Sequence, residues 1–356
     1  MAGPGIDWMP NPLRGADAPP AAGGDAPDFH RALPGYARTP LVDAPELAAE
    51  WGVGSVRLKF ERERFGLPAF KFLGASWAAQ RMLGEPPHEP GLELLTATDG
   101  NHGRAVARVA RDRGLGATIL VPEKTVPARV EALVSEGATV EVVPGSYDDA
   151  VRRSAQMAGP RRLLLSDTSW DGYEDVPRWV VEGYATIFAE VDEQAAGWTP
   201  DVTFVPIGVG SLAAAAARHL AGRSRLVGVE PMSAACAMAS VRAGRITEVP
   251  GPHTSIMAGL NCGMISRAAW PVLSRAFHAF CAVEDAVAIE GMRRLARLGL
   301  AAGECSGGAT GAAAALLGDS GAREKLGATD NTSMLVLLTE GVTDPEGYAR
   351  LVPADE

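Results

Sequence analysis

Lys71 is the residue whose surroundings point most directly to chemistry. It lies in the run 64–75 (RFGLPAFKFLGA), and residues 72–83 carry apolar side chains at helical spacing. A buried ammonium is strongly unfavourable unless it is neutralised or covalently engaged. A lysine at the point where a loop enters a packed helix is well placed to form a Schiff base. The alternative is a lysine whose stem packs while its charged head reaches water, and this segment alone favours that alternative.

A polar turn follows the short apolar strand predicted at 93–95. The turn, 96–103 (TATDGNHG), leads into an amphipathic helical pattern. Loops at the carboxyl ends of such strands are where α/β sheets bind ligands. The structural alternative is a tight turn at 99–100 with Asn101 capping the helix, which leaves His102 unexplained.

A glycine loop follows a second apolar strand, predicted at 202–207. It consists of Gly208, Val209, Gly210 and Ser211 and runs into an alanine-rich helix. Glycines let a backbone approach an anion closely, and the start of a helix attracts phosphate. The loop lacks the Gly-x-Gly-x-x-Gly spacing of a dinucleotide site, so the pattern favours a single phosphate.

The helices and strands that must position these residues alternate along the middle of the chain. Strand patterns at 117–121, 139–143 and 163–165 alternate with helical patterns at 127–136, 147–157 and 178–191, and strands are also predicted at 226–229 and 335–338. This alternation predicts a parallel sheet with helices on its faces. Residues 1–28 are rich in Pro, Gly, Ala and Asp without periodicity and are interpreted as a loosely ordered extension.

Length, composition and charge argue against several classes of protein. With 356 residues and 47% hydrophobic content, the chain can form two lobes with separate cores. The net charge of −10 argues against a nucleic-acid partner. No apolar run is long enough to span a bilayer and no secretory leader pattern begins the sequence, so a cytoplasmic location is expected.

The four cysteines are interpreted as buried thiols. Their spacing fits neither a zinc site nor a disulfide framework. No metal site is therefore expected, and a Cys262–Cys281 bridge stays open as a minor alternative.

Several segments in the same order resemble the fold-type II enzymes that use pyridoxal 5′-phosphate (PLP), and among them the diaminopropionate ammonia-lyase family. The resemblance extends from about residue 29 to 351. It rests on the segments 64–71, 98–104, 167–173, 183–186, 256–263 and 339–344. One such motif is weak evidence, but their common order makes a water-exposed Lys71 improbable.

The resemblance implies a role for each candidate residue. Lys71 matches the lysine that binds PLP as an imine and then acts as a base, for which burial is expected to lower its pKa. Asn101 matches the asparagine that hydrogen-bonds the ring hydroxyl of the cofactor, and 208–211 match the phosphate loop. Thr339 matches the hydroxyl presented to the pyridine nitrogen, whereas Glu340 is interpreted as a residue that fixes its loop.

Two acids carry the substrate hypothesis. Serine and threonine dehydratases of this fold usually have serine where this chain has Asp99, and an acid there would repel a substrate carboxylate. In the resembled ammonia-lyases that aspartate removes a proton from the D-isomer, while the lysine serves the L-isomer. Asp167 matches an acid that meets the β-ammonium of the substrate, although from its local sequence alone it would be a capping residue.

The resemblance therefore predicts α,β-elimination of 2,3-diaminopropionate, D and/or L, to pyruvate and ammonia through aminoacrylate. The alternatives are a serine/threonine dehydratase, elimination or replacement on another β-substituted alanine, and a non-catalytic PLP-fold binding protein. An apparent extra residue near Cys305, in the segment 303–309, departs from the family pattern and leaves the substrate open.

The resemblance also implies the architecture. It predicts two three-layer αβα lobes with mostly parallel sheets and the cofactor in the cleft between them. The predicted division is a large PLP-binding domain at 29–95 plus 206–356 and a small domain at 96–205. A homodimer that acts on a small amino acid is expected, with neither nucleic acid nor membrane as a partner.

Overall fold

The structure is a computed structural model that describes residues 5–15, 24–98 and 100–353. It contains two β-sheets with helices packed on their faces, as an α/β fold with two lobes requires. No helix in these described ranges is long and apolar enough to cross a membrane.

The larger sheet has seven strands. From one edge to the other they are β1 (Ile6–Pro10), β10 (Ala279–Val283), β9 (Arg225–Pro231), β8 (Val202–Pro206), β11 (Ser333–Leu338), β3 (Ser55–Phe60) and β2 (Leu41–Asp43). The five central strands are parallel, and the two edge strands are antiparallel to their neighbours.

The smaller sheet has four strands, all parallel. In order they are β6 (Thr139–Val143), β5 (Gly116–Pro122), β4 (Glu93–Ala97) and β7 (Arg162–Leu164). Parallel strands need crossover connections, and helices supply them here.

The fifteen α-helices of the described residues connect and cover these sheets. They are α1 (Ala26–Ala32), α2 (Pro45–Trp51), α3 (Lys71–Leu83), α4 (Asn101–Asp112), α5 (Pro127–Ser135), α6 (Tyr147–Met157), α7 (Asp175–Gly183), α8 (Ala185–Gln194), α9 (Ser211–Leu220), α10 (Cys236–Ala243), α11 (Trp270–Ala276), α12 (Asp285–Arg297), α13 (Glu304–Gly318), α14 (Ser320–Lys325) and α15 (Pro345–Leu351).

Alternating side chains on the strands form a core on each face of the larger sheet. In β11, Leu335 and Leu337 pack into the core that includes α9, whereas Met334, Val336 and Leu338 pack into the core that includes α13. Both faces are buried, so the strand is a continuous apolar run, as expected for a central parallel strand. Helix α3 packs on α4 and on α7, and thus lies where the two lobes meet.

The amino-terminal extension differs from the prediction. Residues 6–10, predicted to be loosely ordered, form strand β1, which pairs with β10 from Ile6 to Pro10. Helix α1 also begins within the predicted extension. The strand could not be inferred from its own sequence because its pairing partner is more than 260 residues away.

Strand membership also differs from the predicted domain limits at two points. Strand β4 (Glu93–Ala97) crosses the predicted limit at 95/96, and β8, of which residues 202–205 were predicted to lie in the small domain, is hydrogen-bonded within the larger sheet. The predicted helix at 178–191 is two helices, because the chain bends at Tyr184 between α7 and α8.

Candidate active site

A cavity lies between the lobes at the carboxyl ends of the parallel strands, where α/β sheets bind ligands. Strands β4, β8 and β11 each end at its wall, and the first residue of α3 projects from the remaining side. Its lining includes Lys71, Asn101, Asp167, Gly208, Val209, Gly210, Ser211 and Thr339. The candidate residues that the structure describes are therefore brought together here. Asp99 lies outside the described residues.

A tight turn places Lys71 at the start of α3. Phe65 and Gly66 have φ angles of 54° and 72°, and Arg64 and Leu67 exchange two backbone hydrogen bonds across them. A non-glycine residue at positive φ is uncommon and persists where the surrounding structure holds it. The backbone of Pro68 accepts from Gly341 at 2.9 Å, which ties this loop to the segment after β11. The predicted entry of a loop into a packed helix is confirmed.

Lys71 forms an ion pair with Asp167. Its Nζ donates to Oδ2 at 2.7 Å, and the Lys71 side chain keeps 18% of its surface accessible, so it can be reached from the cavity. Burial alone would lower the pKa of Lys71, as the sequence predicts, but the charge and hydrogen bond of Asp167, together with the smaller effect of Tyr184, outweigh burial and raise that pKa. The prediction of a lowered pKa is therefore wrong for the cofactor-free protein.

Asp167 follows β7 and is held as an anion. Burial alone would raise its pKa, but the ammonium of Lys71 and, to a lesser extent, His102 lower that pKa to about 2. The hydroxyl of Ser211 donates to the backbone oxygen of Asp167 at 2.7 Å. The acid and the glycine loop are thus fixed to each other. The side chain of Asp167 engages Lys71 rather than capping a turn.

His102 faces the same ion pair with an unpaired nitrogen. Its Nε2 lies 2.9 Å from the backbone oxygen of Leu165, and its Nδ1, which is buried without a hydrogen-bond partner among the described residues, lies 3.9 Å from Asp167 Oδ2. Since only a protonated nitrogen can donate to a carbonyl, Nε2 carries the proton and Nδ1 has a free lone pair. Burial lowers the pKa of His102, which keeps the ring neutral.

The glycine loop has the features of a phosphate site. Gly210 has a φ of 95°, which glycine adopts readily, and α9 begins at the next residue. A Cβ on Gly208 would approach the backbone oxygen of Gly259 to 3.0 Å, so the chain passes too closely for a side chain. The first amides of α9 have no intrahelical partners and can bind a phosphate.

Asn101 and Thr339 line the same cavity. Asn101 is the first residue of α4 and Gly100 occupies the capping position, so the alternative of an Asn101 cap is wrong. Its Nδ2 donates to Glu340 Oε2 at 2.6 Å, and Glu340 is fixed by the backbone amide of Cys305. The loop-fixing role predicted for Glu340 is confirmed.

The hydroxyl of Thr339 is buried without a hydrogen-bond partner among the described residues. A buried hydroxyl in that state is costly unless a ligand supplies its partner. The ring nitrogen of PLP is such a partner. Together with the glycine loop and Lys71, this unpaired hydroxyl shows that the cavity fits PLP.

Several residues of the site were not predicted from the sequence. His102 had no predicted role, and neither Tyr147 nor Cys262 was predicted to line the cavity. None of the four cysteines forms a disulfide, so the alternative of a Cys262–Cys281 bridge is wrong. The departure from the family pattern near Cys305 forms the first turn of α13, and burial raises the pKa of the Cys305 thiol.

The comparisons with known proteins agree with this geometry. Residues 32–340 match the family described as "Pyridoxal-phosphate dependent enzyme". The chain is 34% identical to a diaminopropionate ammonia-lyase of Escherichia coli (strain K12), and the match covers 92% of this chain and 90% of that protein.

Solved structures place the fold in the same group. An E. coli diaminopropionate ammonia-lyase in complex with an aminoacrylate-PLP azomethine reaction intermediate has a TM-score of 0.92 at 32% identity, with 99% of this chain and 98% of that chain covered. A putative threonine dehydratase of Sinorhizobium fredii is 31% identical over 65% of this chain and 67% of that protein. This chain belongs to the family of pyridoxal-phosphate dependent enzymes and, within it, to the diaminopropionate ammonia-lyase family.

Proposed function

We propose that this enzyme catalyses α,β-elimination of 2,3-diaminopropionate, in its D or L form or both, to pyruvate and ammonia. The observation that carries the proposal is the Lys71–Asp167 ion pair, which places an amine and a fixed anion together in a cavity that fits PLP. The E. coli relatives that cover nearly the whole chain bear the name of this activity.

The cofactor and the residues have separable tasks. When bound, PLP withdraws electrons from Cα of the substrate and makes its proton acidic. The first amides of α9 would hold the phosphate, Asn101 would meet the ring hydroxyl, and Thr339 would meet the ring nitrogen. Thr339 is neutral and would not keep that nitrogen protonated, so the electron sink is mild. A mild sink suits rapid loss of a β-leaving group better than transamination.

Lys71 can act as a base only after it loses a proton. The Asp167 carboxylate holds the pKa of Lys71 high, so the cofactor-free amine is charged. A substrate ammonium that takes over Asp167 removes that stabilisation and lowers the pKa of Lys71. The same carboxylate keeps the leaving nitrogen protonated, which allows it to depart as neutral ammonia. Lys71 is the proposed base for the L-isomer and Asp99 for the D-isomer.

Dehydration of serine or threonine and reaction of another β-substituted alanine are the competing functions. Threonine dehydratases are among the relatives, but that of S. fredii matches a smaller part of the chain. A buried carboxylate at Asp167 favours an ammonium on the substrate over a neutral hydroxyl. A non-catalytic binding protein would not need a lysine at the cavity wall beside an acid.

The assembly and location of the enzyme are further proposals. The family resemblance supports a homodimer, which light scattering of the purified protein would test. Four cysteines that remain as thiols fit a reducing compartment and support a cytoplasmic site of action. Fractionation of cells that produce the protein would test this location.

A substrate screen tests the function. The purified enzyme is loaded with PLP, and pyruvate and ammonia are measured with D- and L-2,3-diaminopropionate, serine and threonine. We expect diaminopropionate to be the best substrate, and Asp99→Ser to lower turnover of the D-isomer more than that of the L-isomer. Pyruvate from serine or threonine, with none from either isomer of diaminopropionate, would contradict the proposal.

A further inference from the structure

The region around Asp167 already contains a bound ammonium, which belongs to Lys71. Its Nζ lies 2.7 Å from Asp167 Oδ2, and this carboxylate oxygen in turn lies 3.9 Å from His102 Nδ1. The three groups come from different parts of the chain, since Lys71 begins α3, His102 lies in α4 and Asp167 follows β7. PLP, when bound, would engage the Lys71 amine, and the Asp167 carboxylate would then be available to another cation.

Two fixed acceptors lie side by side here, although the Lys71 ammonium donates to only one of them, the Asp167 carboxylate. Asp167 offers a carboxylate, and His102 offers the lone pair of Nδ1, because its Nε2 is committed to the backbone oxygen of Leu165 at 2.9 Å. Ammonium hydrogen bonds of about 2.8 Å at tetrahedral angles place two acceptors about 4.6 Å apart. The observed 3.9 Å between the two acceptors is shorter, and one ammonium that donates to both does so at an angle of about 90° between its two hydrogen bonds.

We propose that His102 Nδ1 and Asp167 form a two-point acceptor for the β-ammonium of the substrate, and that His102 thereby helps the enzyme distinguish an ammonium from a hydroxyl. This inference rests on the proposed function and deepens it. His102 is 4% exposed, and its Nδ1 has no other partner among the described residues.

The chemistry of the two acceptors explains the discrimination. An ammonium has three protons and can donate to both acceptors at once, whereas the hydroxyl of serine has a single proton and can satisfy only one. With serine bound, one buried acceptor stays unpaired, which disfavours that complex. A neutral imidazole with a lowered pKa accepts a hydrogen bond without removing the proton that the leaving nitrogen must retain.

Two substitutions test the roles of the two ring nitrogens of His102 separately. His102→Gln keeps an amide near the position of Nε2, where it can still donate to Leu165, and leaves no acceptor near Nδ1. His102→Asn is the matched control, because its amide oxygen can lie near Nδ1 while the contact with Leu165 is lost. We expect His102→Gln to lower the ratio of kcat/KM for diaminopropionate over serine at least about tenfold, and His102→Asn to change it less than about threefold.

The loss in His102→Gln should fall mainly on KM for diaminopropionate, because the contact exists before the carbon–nitrogen bond breaks. An unchanged ratio in His102→Gln, or an equal loss in both variants, would overturn the inference in favour of a purely structural role. If the unmodified enzyme itself makes no pyruvate from diaminopropionate, the proposed function fails and this inference fails with it.

Nitrogen-15 NMR of the cofactor-free protein, labelled at histidine, gives a readout independent of turnover. We expect a signal for a neutral ring with the proton on Nε2, which disappears in both variants and so is assigned to His102. A proton on Nδ1 in the unmodified protein would overturn the inference even if a variant failed to fold, because that nitrogen could then only donate.

Discussion

Two lysines of this chain donate to a buried carboxylate at nearly the same distance, yet their surroundings differ. Lys59 donates to Glu190 at 2.6 Å, and Lys71 donates to Asp167 at 2.7 Å. Burial lowers the pKa of Lys59, and the nearby cation Arg64 lowers it further, so the acidic neighbours Glu61 and Glu190 do not restore it. The pKa of Lys71, in contrast, is raised. Distance to the carboxylate therefore does not by itself reveal what a buried ion pair does.

The regions around Lys59 and Lys71 differ in how completely their buried polar groups are hydrogen-bonded. Lys59 also donates to the backbone of Thr39 and to Gln194, and Arg64 donates to Glu61 and Glu190. None of the buried, unpartnered polar atoms of the described residues belongs to this core network, whereas two lie in the cavity that Lys71 lines, namely His102 Nδ1 and Thr339 Oγ1. A saturated network stabilises the fold, and an unsaturated one is completed by a ligand.

The largest expected effect comes from exchanging each lysine for methionine. Lys71→Met removes the amine that binds the cofactor and moves the proton, and turnover should fall at least about 1,000-fold. The absorbance of the covalently bound cofactor should disappear as well. Pyruvate release and the visible spectrum of the PLP-loaded protein measure these outcomes.

Lys59→Met is the matched control. It leaves the buried Glu190 short of one cation, so the free energy of unfolding should fall by about 3–5 kcal/mol. Turnover per folded molecule should stay within about threefold of the unmodified enzyme. If the two variants lost similar fractions of turnover, the division into a stabilising and a ligand-binding pair would be wrong.

The site residues that could be predicted from the sequence are those that lie in short local runs. Lys71 at the start of a helix and the glycine loop 208–211 are recognisable from neighbouring residues, whereas Thr339 is recognised only through the family resemblance. Such runs encode backbone geometry locally, since a glycine or an apolar alternation acts on its own neighbours.

The remaining features depend on contacts between distant parts of the chain. The raised pKa of Lys71 is set by Asp167, 96 residues away, and the tautomer of His102 by Leu165, 63 residues away. The strand at 6–10 forms only because β10 offers an open edge. No local pattern encodes such pairings, and each becomes visible only in the folded chain.

A smaller effect is expected from the acid titration of Asp167. Its pKa is lowered to about 2 in the folded protein, so its stabilising contribution is present above its ordinary pKa of 3.8 and is lost as the pH falls through about 2. The cofactor-free protein should therefore be more stable than its Asp167→Asn variant by about 2 kcal/mol at neutral pH. The difference should shrink between about pH 4 and pH 2 in urea unfolding.

Glu190→Gln is the matched comparison for Asp167→Asn. The pKa of Glu190 is also lowered to about 2, with burial opposed by Arg64 and Lys59, so the same acid window is expected. Activity at neutral pH then distinguishes the regions, because Asp167→Asn should lose turnover while folded Glu190→Gln retains it. A stability difference for Asp167→Asn that stayed constant down to pH 2 would mean that the carboxylate is not held as an anion.

The smallest effect concerns two buried threonines. Thr339 has an unpaired hydroxyl, whereas Thr203 lies 2.8 Å from the hydroxyl of Ser224. Thr203→Val should lower the free energy of unfolding by about 1 kcal/mol and leave PLP affinity unchanged. Thr339→Val should leave the cofactor-free protein equally or slightly more stable, since it removes a polar group that lacks a partner.

Once PLP is present, we expect Thr339→Val to have the larger effect of the two substitutions. Thr339→Val should then weaken PLP binding about five- to tenfold, the size expected for one lost hydrogen bond, as measured by fluorescence titration of the cofactor-free protein. If Thr339→Val destabilised the cofactor-free protein as much as Thr203→Val does, its hydroxyl would already be satisfied within the fold. The cavity would then lack one of the open positions that set it apart from the core network.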